Sequence, residues 1–290
     1  MLKQCTRPGI ALLAATTSLA LAPSALAKTA VFGGSTRAGD PIVLTADAKA
    51  KKLRGIVIAW DAPCADGTYL GTGSALTPIH LPPDATPDVH DLVTSRNGNG
   101  RFAGTQLVGF DLGSGSVGMA TIDIAGKLRP GRATGTLSAN VDILDAAGKP
   151  GGTCQSGTVK WTASRAPGRI YAGRTAQEEP VVVRVDKRRK RVSDMRIGWE
   201  TASCQPPGYM RISEWFTDFP LRGGAFGDSF SQNYPADGGG RFTYSYALKG
   251  SVARRVSRGT LSVQVKQTDA TGAAVATCDS GSVSWQAKTG

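Results

Sequence analysis

Histidine is almost missing from this chain, with only His80 and His90 in 290 residues. A histidine-based hydrolytic triad has no other base to draw on, and no G-x-S-x-G elbow supplies its serine. Leucine and glutamate are sparse, and no long helical periodicity follows the N-terminal segment. With 37 Gly, 16 Pro and many Val and Thr, this argues for strands joined by turns. Beyond the N-terminus no apolar run approaches the roughly 20 residues of a membrane-spanning helix. Cysteine is scarce as well, with five in all.

The first residues, MLKQCTRPGIALLAATTSLALAPSALA, place Lys3 and Arg7 ahead of an apolar run that ends in Ala25-Leu26-Ala27. That order predicts a signal peptide over residues 1–27, a secreted protein and loss of Cys5 with the leader. Four cysteines then remain, Cys64, Cys154, Cys204 and Cys278, and an even number in an exported chain reads as two disulfides. The net charge of +12 stays strongly positive without the leader, which favours anionic surfaces and says nothing about fold.

A repeat organises the remainder. Phe32 to Cys64 aligns with Tyr171 to Cys204, and GTLSANVDILDAAGKPGGTCQSGTVKWTA from Gly135 aligns without a gap with GTLSVQVKQTDATGAAVATCDSGSVSWQA from Gly259. Between these blocks GRF at Gly100–Phe102 is matched with GRF at Gly240–Phe242. That match assigns an excess of roughly 16 residues in copy one to 103–125. The expected division is 28–164 for domain 1, 165–170 for a linker and 171–290 for domain 2. Because each copy holds cysteines at equivalent places, the expected bonds are Cys64 to Cys154 and Cys204 to Cys278.

Within each copy the apolar period is two, as in half-buried strands. Ile56, Ile58 and Trp60 alternate with Val57 and Ala59, and Met195, Ile197 and Trp199 alternate with Arg196 and Gly198. On this pattern the Arg196 side faces water and both tryptophans point into cores. Each copy is therefore expected to be an all-β sandwich, immunoglobulin-like or jelly-roll-like, with a small barrel as the alternative. Cys154 falls out of step with Val159, Trp161 and Ala163, so a bulge or turn is expected at Ser156-Gly157.

Several motifs compete for function. GSGSVG at Gly113–Gly118 fits the dinucleotide pattern in letters but is followed by an alternating MATIDIAG, so it reads as a hairpin turn. His80 and His90 lie among Asp84, Asp88 and Asp91 in PIHLPPDATPDVHDL, where a metal could bind, although a solvated loop accounts for them equally. Pro220 and Phe230 are matched to the two histidines in copy two. For a glycosidase the only acid pairs to name are Asp111 with Asp123 and Glu200 with Glu214.

The aromatic segment from Tyr209 to Tyr234 is the best binding candidate. Trp215 replaces Ala75, so packing alone does not explain it, and Tyr209 joins it as a contact candidate. Lys187, Arg188, Arg189, Lys190 and Arg191 form a basic turn suited to a polyanion or to solubility.

The succession YAGRT, P-V-V-V, I-x-W, Cys and TCDSGSVSW resembles an uncharacterised β-rich domain of exported proteins from high-GC Gram-positive (actinobacterial) bacteria. The resemblance runs through nearly all of both copies, and copy one departs from it at FGGST and at the insertion. It implies export and a β fold and transfers no activity, cofactor or site. The reading is a non-catalytic binding or structural protein of the cell envelope or extracellular space, without cofactor or metal. Cell-wall polysaccharide or an anionic polymer is the expected partner, and nucleic acid is not. The alternative is a secreted carbohydrate-active or other hydrolytic enzyme.

Overall fold

The computed structural model describes residues 29–76, 93–94, 99–113 and 115–290, so His80 and His90 lie outside the described residues. Two antiparallel sheets account for the fold, and no α-helix occurs among the described residues. The first sheet holds β1 (Thr29–Thr36), β2 (Pro41–Asp47), β3 (Leu53–Pro63), β4 (Tyr69–Leu76), β5 (Val93–Thr94), β6 (Arg101–Gly113), β7 (Ser116–Arg129), β8 (Arg132–Leu144), β9 (Pro150–Gln155) and β10 (Val159–Ser164). The second holds β11 (Ile170–Thr175), β12 (Pro180–Val185), β13 (Arg191–Glu200), β14 (Ser203–Gln205), β15 (Arg211–Phe216), β16 (Phe219–Pro220), β17 (Ala225–Pro235), β18 (Arg241–Val252), β19 (Val256–Thr268), β20 (Ala274–Asp279) and β21 (Val283–Lys288).

The first sheet runs β4-β3-β2-β1-β10-β8-β7-β6-β5, with β9 also on β8. The second runs β15-β13-β12-β11-β21-β19, then β18 and β17, with β20 also on β19. Each sheet folds its two halves over one core, giving two β-sandwich-like domains. The cores centre on Trp60 and Trp161 in the first domain and on Trp199 and Trp285 in the second. A third cluster, Val43, Val57, Ile170, Ala172 and Val182, lies between the domains. This cluster explains the unbroken runs PIVL and PVVV. β2 and β12 are buried on both faces, so alternation gives way to continuous apolar sequence.

The twice-written S-G phrase has a local cause. β9 and β10 are one broken strand along β8, since Gln155 faces Asn140 and Val159 faces Leu137. Three residues, Ser156 to Thr158, then stand opposite two, which is a bulge. The Ser156 hydroxyl fills the gap by accepting the Ala139 N–H at 2.7 Å and donating to the Gly157 carbonyl at 2.8 Å. Gly157, at φ 60, takes the left-handed conformation that glycine tolerates best. Ser280 and Gly281 repeat this against Val263. The extra residue changes the phase, so Cys154 and Trp161 both point inward.

Both expected disulfides are present. Cys64–Cys154 joins the end of β3 to β9, and Cys204–Cys278 joins β14 to β20. Closing loops of 90 and 74 residues is worth roughly 4 kcal/mol each on the chain-entropy model.

Strand register corrects the alignment between the flanking blocks. Phe102 pairs with Gly126 beside Trp161, and Phe226 pairs with Gly250 beside Trp285. The counterpart of Phe102 is thus Phe226, and GRF at Gly240 matches the SVG that opens β7. The longer stretch of the first domain falls between Leu76 and β6, not at 103–125. Phe230 answers Gln106, not His90. Of the GSGSVG motif, Gly113 pairs with Ser116 where β6 meets β7, and Gly113 and Gly115 have positive φ.

Replacing Ser280 by Ala leaves the Val263 N–H without its acceptor in a buried place. The expected loss is about 1–3 kcal/mol in denaturant unfolding, against less than about 0.5 for exposed Ser284→Ala.

Candidate functional site

Among the described residues the buried charged side chains, Asp40, Glu179 and Arg211, gather between the domains. Thr36 and Thr175 each accept two backbone N–H groups from the turn that follows, and the acids closing those turns, Asp40 and Glu179, are buried just before Pro41 and Pro180. Each acid reaches the edge strand of the other domain. Glu179 accepts the Gly73 N–H at 2.7 Å, and Asp40 accepts the Ser213 hydroxyl at 2.9 Å.

Arg211 enters this acid pair with a fully buried side chain. It donates to Glu179 at 2.7 and 3.2 Å and lies 3.8 Å from Asp40 and 3.5 Å from Asp61. Its counterpart on β4 is Gly71, where a Cβ would stand 2.2 Å from the Asp61 carboxylate. Burial alone would loosen the Arg211 proton, but the carboxylates of Glu179, Asp40 and Asp61 outweigh it and hold the guanidinium charged. Burial, with Asp40 alongside, pushes the Asp61 carboxyl up to about 6. Burial and Glu179 also raise Glu200.

Tyr209 belongs to this junction. Its hydroxyl lies 3.4 Å from both the Gly71 carbonyl and Glu200, and its ring meets Phe110 of the first domain at 6.0 Å. Arg196 is also here, and the expectation that its side faces water is corrected. Its guanidinium donates to the Gly39 carbonyl at 2.5 Å because the first domain covers that face of β13.

Trp215 stands at the rim, 63% exposed. The Arg196 guanidinium lies over its ring at 4.5 Å, and its indole N–H donates to Asp194 at 2.6 Å. One face and the edge are thereby fixed while the remainder stays open. Tyr209 precedes β15 and Trp215 lies near its far end, so they do not converge.

The basic turn divides by role. Asp186 accepts the backbone N–H groups of Lys190 and Arg191, and Arg189 adopts φ 53 at the tip. Arg189 is structural, since it donates to the Gly168 and Ala253 carbonyls and to the Tyr171 hydroxyl. Arg191 pairs with Asp218 at 3.3 Å. Lys187, Arg188 and Lys190 remain exposed.

A second aromatic surface was legible only in part. On the β17–β18 hairpin, register places Phe230 opposite Tyr246 and Tyr234 opposite Phe242, on the face that continues the second core. Tyr244 donates to Glu214 and Tyr246 donates to Asp228 at 2.8 Å. Burial and these carboxylates hold both phenols protonated. The alternation in FTYSY carries this surface in the sequence.

The two acid pairs do not converge. Glu200 faces the domain junction, whereas Glu214 faces the other way, taking the Trp199 indole N–H at 3.2 Å. Asp111 binds the Gly113 N–H beside the hairpin turn, while Asp123 binds the Thr105 hydroxyl six residues back along β6. No group of three potential metal-ligating residues occurs among the described residues. Compared with protein-family models, curated proteins and solved structures, the chain matches none. What fold and site define is therefore a class: an all-β protein of two disulfide-stapled domains joined by a buried ionic cluster.

Arg211→Ala leaves Asp40 and Glu179 buried without their cation, so denaturant unfolding is expected to show a loss of about 3–5 kcal/mol. Asp61 has a folded pKa raised from 3.8 to about 6, so its protonated form favours the folded state. Its contribution is complete below pH 3.8 and is lost as pH rises through about 6. Allowing for solvent screening of its half-exposed side chain, this amounts to roughly 1 kcal/mol. Asp61→Asn is expected to remove that slope from unfolding curves recorded between pH 4 and 7.

Proposed function

We propose that this chain is an exported, non-catalytic binding or structural protein of the cell envelope or its surroundings, contacting polysaccharide or an anionic polymer through its second domain. The observation that carries this reading is Trp215. A large indole left open, with its edge and one face already held by Asp194 and Arg196, meets a flat sugar face without first losing side-chain freedom. The three exposed cations of the turn at 187–191 add attraction for a polyanion.

Export is supported by the leader-like first 27 residues and by two disulfides, which persist in oxidising compartments. No helix among the described residues is long and apolar enough to cross a membrane. The tandem-repeat reading draws support from the shared strand order of the two sheets. The second copy has Trp215 where the first has Ala75.

The test is retention on insoluble cell-wall polysaccharide and on anionic polymer. Trp215→Ala is expected to weaken retention on polysaccharide about tenfold, as the loss of an aromatic anchor does. Neutralising Lys187, Arg188 and Lys190 is expected to weaken retention on anionic polymer most at low salt. Wild-type retention by both variants contradicts the proposal.

A further inference from the structure

The outer face of each sheet, turned away from the core, is concave above one pair of glycines. In the second domain Gly250 and Gly259 face one another across β18 and β19, and in the first Gly126 and Gly135 do so across β7 and β8. These positions are glycine because the indole of each core packs against their inner side. A Cβ on Gly259 would stand 2.6 Å from Trp285, and one on Gly135 would stand 2.4 Å from Trp161. The hollows on the outer side, lined by the residues that alternate with these glycines, measure about 700 Å³ in the second domain and 670 Å³ in the first.

Register sets the charge of the second hollow. Arg174 pairs with Gln286, Gln286 with Arg258, and Arg258 with Ser251, so one row crosses four strands. Lys249 lies in the next row, opposite Thr260. Arg174 and Arg258 are two strands apart, about 10 Å at the backbone. All three cations are exposed, and among the described residues the acid paired with them is Glu178, itself exposed, which binds Arg174 at 2.5 Å. The first hollow also carries cations, at different positions: Arg101 and Lys127 line it, where the second domain has Ala225 and Ser251. Positive charge is thus present over both glycine pairs although the residues supplying it are not equivalent.

We propose that the hollow of Arg174, Lys249 and Arg258 binds an extended polyanion of the acidic-polysaccharide or polyol-phosphate type, and that the hollow of Arg101 and Lys127 is a weaker second site for the same polymer. The proposal rests on the reading of the chain as a polymer-binding protein and adds a site distinct from Trp215 and the basic turn. Guanidinium forks suit carboxylate and phosphate groups alike. The hydroxyl and amide groups of Ser251, Thr260 and Gln286 between the cations suit sugar hydroxyls. Single-stranded nucleic acid fits less well, because the aromatic residues among the described lining, Trp285 in the second hollow and Phe102 in the first, are buried and offer no stacking face.

The experiment is titration of the full chain with polygalacturonate, a poly(glycerol phosphate), neutral dextran and single-stranded DNA. The variant Arg174→Ser, Lys249→Ala, Arg258→Thr carries the residues of the first domain at the matching positions, and its unfolding midpoint confirms that it folds. It is expected to bind the preferred polyanion about tenfold more weakly than wild type. Arg101→Ala with Lys127→Ser is expected to reduce the stoichiometry from two sites to one. Preference for polygalacturonate assigns carboxylate as the recognised group, and preference for poly(glycerol phosphate) assigns phosphate.

A triple variant within twofold of wild type overturns the proposal, as does equal or tighter binding of DNA or dextran. If loss is confined to Trp215→Ala and the basic-turn variant, the hollow is excluded and the broader reading stands. If wild type binds none of the polymers, both fall. Loss confined to the triple variant keeps the hollow and removes Trp215 and the turn as the contact site.

Discussion

One buried guanidinium holds the two domains in register. Arg211 sits among Asp40 and Asp61 of the first domain and Glu179 of the second, in a place where an unpaired charge would cost several kcal/mol. The acids come first in the logic of the fold. Turns closed by Thr36 and Thr175 deliver Asp40 and Glu179 to the same junction, where two like charges repel. Arg211 turns that repulsion into a cross-domain bond. Around it the apolar cluster of Val43, Val57 and Val182 supplies burial, and the charge cluster fixes which surfaces meet.

The arrangement resembles an isologous dimer interface enclosed within one chain. β1 lies against β11, β2 against β12 and β4 against β15, so equivalent elements meet. Such packing uses the inner sheet faces for the cores and the outer faces of β2 and β12 for docking. The outer faces over the glycine pairs and the aromatic β17–β18 hairpin remain available. Trp215 depends on docking directly, because the arginine stacked on it is anchored to the Gly39 carbonyl of the first domain. The Trp215 rim and the junction are therefore one mechanical unit.

The sequence carried much of the architecture, and its omissions have physical reasons. Period-two patterns, paired cysteines and S-G phrases report local geometry, and strands, disulfides and bulges followed from them. Trp215 was legible because a paired alanine made its exposure hard to attribute to packing. Arg196 misled because a charged residue on an alternating strand reads as solvent-facing, whereas here the other domain supplies a backbone carbonyl for it. The GRF match misled because three shared letters outweighed register, which only strand pairing reveals. Arg211 carries no local signal, because the acids that bury it, Asp40, Asp61 and Glu179, are all distant in sequence. The acids before Pro41 and Pro180 were the available signal, two carboxylates repeated at a turn where neither needs to be acidic for the turn to form.

The claim that the two domains form one body through this cluster is tested most directly at a single amide. Gly73 lies on the edge strand β4, and its N–H is donated to the Glu179 carboxylate of the other domain. Hydrogen exchange at the Gly73 amide is predicted to be as slow as that of the buried ladder amides of β2 and β12. It should accelerate sharply in Arg211→Ala while the amides of the two cores stay protected. Exchange in the wild-type chain at the rate of a solvent-exposed edge amide would contradict the account.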